Sequence, residues 1–271
     1  MTRADAVRAG NRRIWEGKAC VLCGGARPAE NVEHAPPKSI FHGKIRPEGY
    51  AFASCKRCNN GSGHLDALAA FVCMSGRNEI LFGGCKPSTH EINLARSVAR
   101  AFPKIYKRMT STPISTPVGL ITGHATKLEL TEKTSQNFAK WSAKQAYAYW
   151  SEENKACLSA EAVVGIVMLT NDRKADKFPN EMAKLLGSGR TMTHGKKSFG
   201  SQFFYRYSRN PEQGITLIQA VYHESTGFFA LIDELNKHPE LQSKIPFRFK
   251  TSNAMGIHMI YPKSRSRLLF G

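Results

Sequence analysis

The residues best equipped for chemistry lie between Cys20 and Asp66. Two Cys-x-x-Cys pairs, Cys20/Cys23 and Cys55/Cys58, frame an acid–histidine pair, Glu33-His34. Straight after the second pair comes Asn59-Asn60-Gly61-Ser62-Gly63-His64-Leu65-Asp66. Each cysteine pair is a tight turn that presents two sulfurs to one ion, and two such turns complete the tetrahedral set that Zn²⁺ takes. A closed four-sulfur site has no open position for water, so a zinc held there is structural. The chemistry then falls to the residues between and behind the knuckles. Histidine titrates near neutrality and can take a proton from water. Glu33 and the Asn59 amide oxygen are hard donors of the kind Mg²⁺ or Mn²⁺ prefers, whereas the sulfurs favour zinc.

The order Cys-x-x-Cys, acid-His, Cys-x-x-Cys-Asn and a polar helix start resembles the HNH endonucleases of the four-cysteine, zinc-stapled kind. The resemblance covers residues 18–72, about a fifth of the chain. It implies a ββα-metal fold, a β-hairpin followed by a helix around a catalytic divalent cation. It also implies roles: His34 as general base, Glu33 as a ligand of the Mg²⁺ or Mn²⁺ ion, and Asn59 as a residue that orients the base or binds the ion. A further ligand or substrate contact is expected from His64 or Asp66, with Asp66 favoured because a carboxylate suits a hard ion. Glu33 stands where many members carry Asp, while Pro37-Lys38 echoes the members that carry Glu-His. The reaction implied is hydrolysis of phosphodiester bonds in DNA, RNA being left open.

Positioning these groups needs a hairpin. Val32 leads into Glu33-His34, read as the end of a short strand, and Pro36-Pro37 turns the chain away. Tyr50 to Ser54 reads as the returning strand, and the 31 residues between Cys23 and Cys55 leave room for the loop. Leu65, Leu68, Ala69 and Val72 have helical spacing, so a helix starting near Asn59 closes the unit. Asn59 is either a site residue or a plain N-cap. Pro87 and Ser88-Thr89-His90-Glu91 open a further helix with a capping box. Its apolar stripe is Ala95, Val98, Ala99, Phe102 and Tyr106, and Pro103 is expected to end it near Phe102. Arg96, Arg100, Lys104 and Lys107 form a basic row along it, read either as a phosphate-tracking face or as solvated surface.

Beyond residue 113 the pattern becomes that of an antiparallel α+β domain. β-type residues fill Val118 to Leu130, and Ser135 to Glu152 is a helix with Phe138, Trp141, Gln145 and Tyr149 on one side and Lys140 and Lys144 exposed. Strands are expected over Ala162–Thr170, Gln202–Tyr207, Ile215–His223, Gly227–Ile232 and Met255–Tyr261. The chain thus divides into a basic arm (1–17, with Arg3, Arg8, Arg12 and Arg13), the HNH-like unit (18–75), a basic helical connection (76–112) and the α+β domain (113–271).

Composition narrows the partners. Lys and Arg number 39 against 21 Asp and Glu, a net +18 in 271 residues, with a pI near 9.8. Such an excess steers polyanions and releases their counterions, which points to nucleic acid. No run is apolar enough to span a bilayer, no signal segment opens the chain, and no strong amphipathic anchor accompanies the charge, so no membrane partner is expected. The three remaining cysteines, Cys73, Cys85 and Cys157, suit free thiols in a reducing cytoplasm. The remaining histidines, His42, His90, His124, His194, His223, His238 and His258, read as structural. Two other readings stand beside the nuclease. One is a non-catalytic zinc-ribbon module that binds nucleic acid or protein; the other is a dithiol redox enzyme, disfavoured by the lack of a βαβ setting.

Overall fold

The computed structural model describes residues 9–10, 12–75, 88–107, 109–115, 121–128, 131–169, 186, 190–191, 193–194, 197–224, 226–239 and 258–260. Cys85, Arg3 and Arg8 lie outside these residues. The chain is mixed α+β with antiparallel sheets. Strands β1 (Asn31–His34) and β2 (Ala51–Ser54) pair antiparallel, Glu33 opposite Phe52 and His34 opposite Ala51. Helices α1 (Lys56–Asn60) and α2 (Gly63–Ser75) follow. The single helix expected near Asn59 is therefore two pieces, broken at Gly61-Ser62. Leu65, Leu68, Ala69 and Val72 are all buried, as their spacing requires.

Helix α3 (Thr89–Ala101) opens with the full capping box, Ser88 Oγ accepting from the Glu91 N–H and Glu91 Oε2 from the Ser88 N–H at 2.7 Å. It stops at Phe102, and Pro103 starts the short α4 (Pro103–Tyr106) as an N1 residue. A separate hairpin pairs β3 (Met109–Ser115) with β4 (Ile121–Leu128). The long α5 (Glu132–Asn154) begins at the Thr131 cap, whose hydroxyl accepts from the Thr134 N–H.

The remaining strands are β5 (Val163–Leu169), β6 (Arg190–Thr191), β7 (Thr193–His194), β8 (Lys197–Ser198), β9 (Phe203–Asn210), β10 (Ile215–Tyr222), β11 (Thr226–Asp233) and β12 (His258–Ile260). Six form one sheet in the order β12-β5-β11-β10-β9-β6, every neighbouring pair antiparallel. Antiparallel pairing needs only short connections, and β9, β10 and β11 follow one another as a meander.

Helix α5 positions everything else. Residues 141–150 are buried without interruption, so this segment has no solvated face. Trp141 meets Tyr222 and Phe228 of the sheet, and Tyr149 stacks on Tyr205 at 4.9 Å. The same hydrophobic cluster takes in Leu65, Leu68 and Cys73 of α2 and the four cysteines near the hairpin. Here the expected exposure of Lys144 is corrected: its side chain is 1% exposed, and Lys140 is half-buried. A lysine is tolerated there because two carboxylates and a hydroxyl face it.

Candidate functional site

The first knuckle is a chain reversal. Gly24 and Gly25 both have positive φ, 66° and 81°, which lets the chain fold back so that the Gly25 N–H reaches the Cys20 carbonyl at 3.0 Å. The Val21 N–H donates to Ala53 of β2, tying this turn to the hairpin. The second knuckle is the start of α1, with Cys55 as its N-cap residue. All four cysteines are buried and their sulfurs lie within 4.8 Å of one another. A tetrahedron with bonds of about 2.3 Å has edges of about 3.8 Å, so the group fits a metal such as zinc. Hydrogen bonds from Cys20 and Cys58 draw the Cys23 thiol down to about 3, and hydrogen bonds to Cys20 and Cys23 push Cys58 up.

His34 ends β1 and is half-buried. Burial lowers its pKa to about 4, and the charges of Arg46 and Lys38 push the same way, against a backbone contact with Tyr50. The imidazole is therefore neutral at pH 7. Arg46 is itself half-buried, and burial lowers its pKa. Asn59 lies within α1 rather than at its N-cap. Its Nδ2 donates to the Val32 carbonyl at 3.0 Å, so it braces the strand that carries Glu33 and His34.

Glu33 belongs to a different environment, because successive strand residues face opposite sides. It is 5% exposed and points at α5, where Lys144 Nζ lies 3.2 Å from its Oε1. The same ammonium reaches Asp66 Oδ1 and Oδ2 at 3.1 and 3.2 Å and Ser62 Oγ at 2.7 Å. Trp141 Nε1 donates to Asp66 Oδ1 at 3.1 Å, and the His34 N–H donates to Glu33 Oε1 at 3.0 Å. Glu33 Oε2 is buried and has no hydrogen-bond partner among the described residues. Burial raises Glu33 to about 7, Lys144 opposing and Asp66 reinforcing, and burial raises Asp66 as well. His64 is exposed, its ring 6.0 Å from that of Phe102.

The structure thus brings Glu33, Ser62, Asp66 and Lys144 together, sets His34 beside Arg46 and Lys38, and leaves His64 exposed at the edge of the group, close enough for its charge to oppose the rise of Asp66. From the sequence Lys144 reads as exposed and Ser62 as part of a helix start, and Arg46 is not singled out. For Lys144 a signal existed: residues 141–150 hold one charge among small and aromatic residues, the composition of a helix buried all round.

The loop after His34 is pinned from several sides. Phe41 sits edge-on to Phe199 at 5.2 Å, His223 Nε2 meets the Ile40 carbonyl at 2.7 Å, and His90 Nε2 meets the Ser39 carbonyl at 3.0 Å. The His42 N–H donates to Gln202 Oε1 at 2.9 Å. Tyr50, beside His34, reaches Tyr205 through their hydroxyls at 3.4 Å. Cys157 Sγ approaches the Cys20 carbonyl at 3.4 Å, and Cys73 is fully buried, its thiol pushed up by burial. Arg96, Arg100, Lys104 and Lys107 are all exposed. Among the described residues no helix is long and apolar enough to cross a membrane.

Compared with known proteins, the chain matches no family model, no curated protein and no solved structure.

Proposed function

We propose that the chain is an HNH-type nuclease that hydrolyses phosphodiester bonds in DNA, with His34 as the general base. The observation that carries this reading is a half-buried imidazole at the end of a braced hairpin strand, kept neutral first by burial and then by the nearby charges of Arg46 and Lys38. In that setting an anionic phosphate approaching Arg46 and Lys38 offsets the charge that disfavours imidazolium. The base then gains proton affinity as substrate arrives. His34 takes a proton from water, the water oxygen bonds to phosphorus, the P–O3′ bond breaks, and the leaving 3′-oxygen takes a proton from solvent, while His34 later returns its own to water. The four-cysteine site, loaded with zinc, holds the hairpin against α1 and takes no part in the chemistry.

The divalent cation of this family would be sought on Glu33, Asn59 and Asp66 or His64. Three of those donors fit it poorly: Lys144 already engages Glu33 Oε1 and both Asp66 oxygens, and His64 lies against Phe102. No step is routed through such an ion. That same ion pair favours a second reading, a zinc-stapled module that binds nucleic acid without cutting it. The net charge of +18 supports nucleic-acid binding under both readings.

Incubation of zinc-loaded protein with plasmid DNA, alone and with Mg²⁺, Mn²⁺ or EDTA, separates the two. Nicked or linear product supports the nuclease. Retarded but intact plasmid under every condition supports the binding module.

A further inference from the structure

We infer that Lys144 is the resident cation of the Glu33–Asp66 site, its ammonium standing where the sequence pattern alone would place a divalent ion. Three features carry this. The first is saturation. An ammonium has three N–H donors, and this one has three partner groups, Ser62 Oγ at 2.7 Å, Glu33 Oε1 at 3.2 Å and the Asp66 carboxylate at 3.1–3.2 Å. The second is enclosure. Lys144 is 1% exposed and Glu33 7% by side chain, with Asp66 at 19% the one edge of the group open to solvent, so the cation that balances these acids is built into the fold. The third is origin. Glu33 comes from the hairpin, Ser62 and Asp66 from the turn before α2 and its first turn, and Lys144 from α5, in the region separate in sequence.

A hard divalent ion would need these same oxygens at about 2.0–2.6 Å. It cannot share them with an ammonium already within hydrogen-bond distance of each, because two cations would then lie in near contact in a poorly solvated place. Glu33 Oε2 is the one carboxylate oxygen of the set without a partner among the described residues. One oxygen is too few to hold such an ion against its own hydration. The pair Glu33-His34 therefore serves two ends. Glu33 anchors the hairpin onto α5 through Lys144, and His34 faces the other way.

This bears on the cation of the nuclease reading, but its test reads metal binding rather than cleavage, so the two can fail separately. Mn²⁺ is titrated into zinc-loaded protein and free Mn²⁺ is followed by electron paramagnetic resonance. Wild type, Glu33→Gln, Asp66→Asn and Lys144→Ala are compared. Wild type is expected to hold no Mn²⁺ that depends on Glu33 or Asp66, so the first two variants leave its curve unchanged. Lys144→Ala vacates the cation position and is expected to bind one Mn²⁺ at least tenfold more tightly, a gain that Lys144→Ala/Asp66→Asn loses. Wild type binding one Mn²⁺ whose affinity falls tenfold in Glu33→Gln or Asp66→Asn overturns the inference. A folded Lys144→Ala that gains no Mn²⁺ affinity overturns it too. Should Lys144→Ala fail to fold, the comparison of wild type with the two acid variants decides alone.

Discussion

Replacing Lys144 by Met keeps the volume of the side chain and removes its charge, which leaves Glu33 and Asp66 facing one another. Both have an oxygen within 3.2 Å of one nitrogen, so those oxygens are at most about 6 Å apart. At a pH high enough to ionise both acids, two unit charges at that separation repel by about 3 kcal/mol at an effective dielectric near 20, and while Glu33 keeps its proton this repulsion is absent. Breaking a buried pair by deleting one partner costs about 3–5 kcal/mol, which brackets the same value from measured cases. The lower end applies here, since Trp141 Nε1 still donates to Asp66 and the His34 N–H to Glu33. A loss of about 3 kcal/mol lowers Tm by about 6–12 °C in a chain of this size.

The pH dependence sharpens the test. Glu33 is raised by burial to about 7 even with Lys144 pulling it down. Without Lys144 it rises further, so the folded variant keeps a proton that the unfolded chain has released. Stability in that case is fully present below the unfolded carboxylate pKa and is lost as pH rises through the folded one. Wild type makes its own loss between about 4.5 and 7, and the variant continues to lose stability above 7. Denaturant melts of both proteins at pH 5 and pH 8 measure this. The gap between them is expected to be larger at pH 8. A gap under about 1 kcal/mol, or one equal at both pH values, refutes the burial argument.

Further expectations follow from the rest of the site. Cys55→Ser removes one of the four sulfurs and should destabilise the fold outright, because structural zinc binding energy is folding energy; metal analysis should give one zinc per wild-type chain. Replacing Arg96, Arg100, Lys104 and Lys107 by Ala should lower DNA affinity and flatten the slope of affinity against salt, about one unit per lost phosphate contact, and an unchanged slope assigns the row to solvent. For cleavage, His34 is held neutral by burial and by Arg46 and Lys38. The acid limb of the rate should therefore fall near pH 4 in free enzyme rather than near 6.5, and Arg46→Ala should move that limb up.

The hairpin and its helices were legible because their signals are local. Proline pairs, a capping box at Ser88 and alternating strands all act within a few residues. Five of the six sheet strands were found for the same reason, while the two-residue β6 and the start of β3 at Met109, inside the expected helical connection, were missed, and the order β12-β5-β11-β10-β9-β6 rests on pairing that no local pattern encodes. The four cysteines were legible because spacing alone dictates their geometry. Lys144 was misplaced on the surface because lysine is seldom buried, and its partners Glu33 and Asp66 lie 111 and 78 residues away in sequence. The split between Glu33 and His34 was implicit in their strand, since adjacent strand residues are turned to opposite faces, but what each face meets, α5 on one side and Arg46 on the other, was not.

Plasmid cleavage by zinc-loaded wild type and His34→Ala, at equal DNA affinity and matched thermal stability, decides whether His34 is the base of a phosphodiester hydrolase. Wild type is expected to give nicked and linear product, and the variant a rate lower by about two to four powers of ten, the scale of a lost general base. Equal cleavage rates from the two proteins would contradict that role.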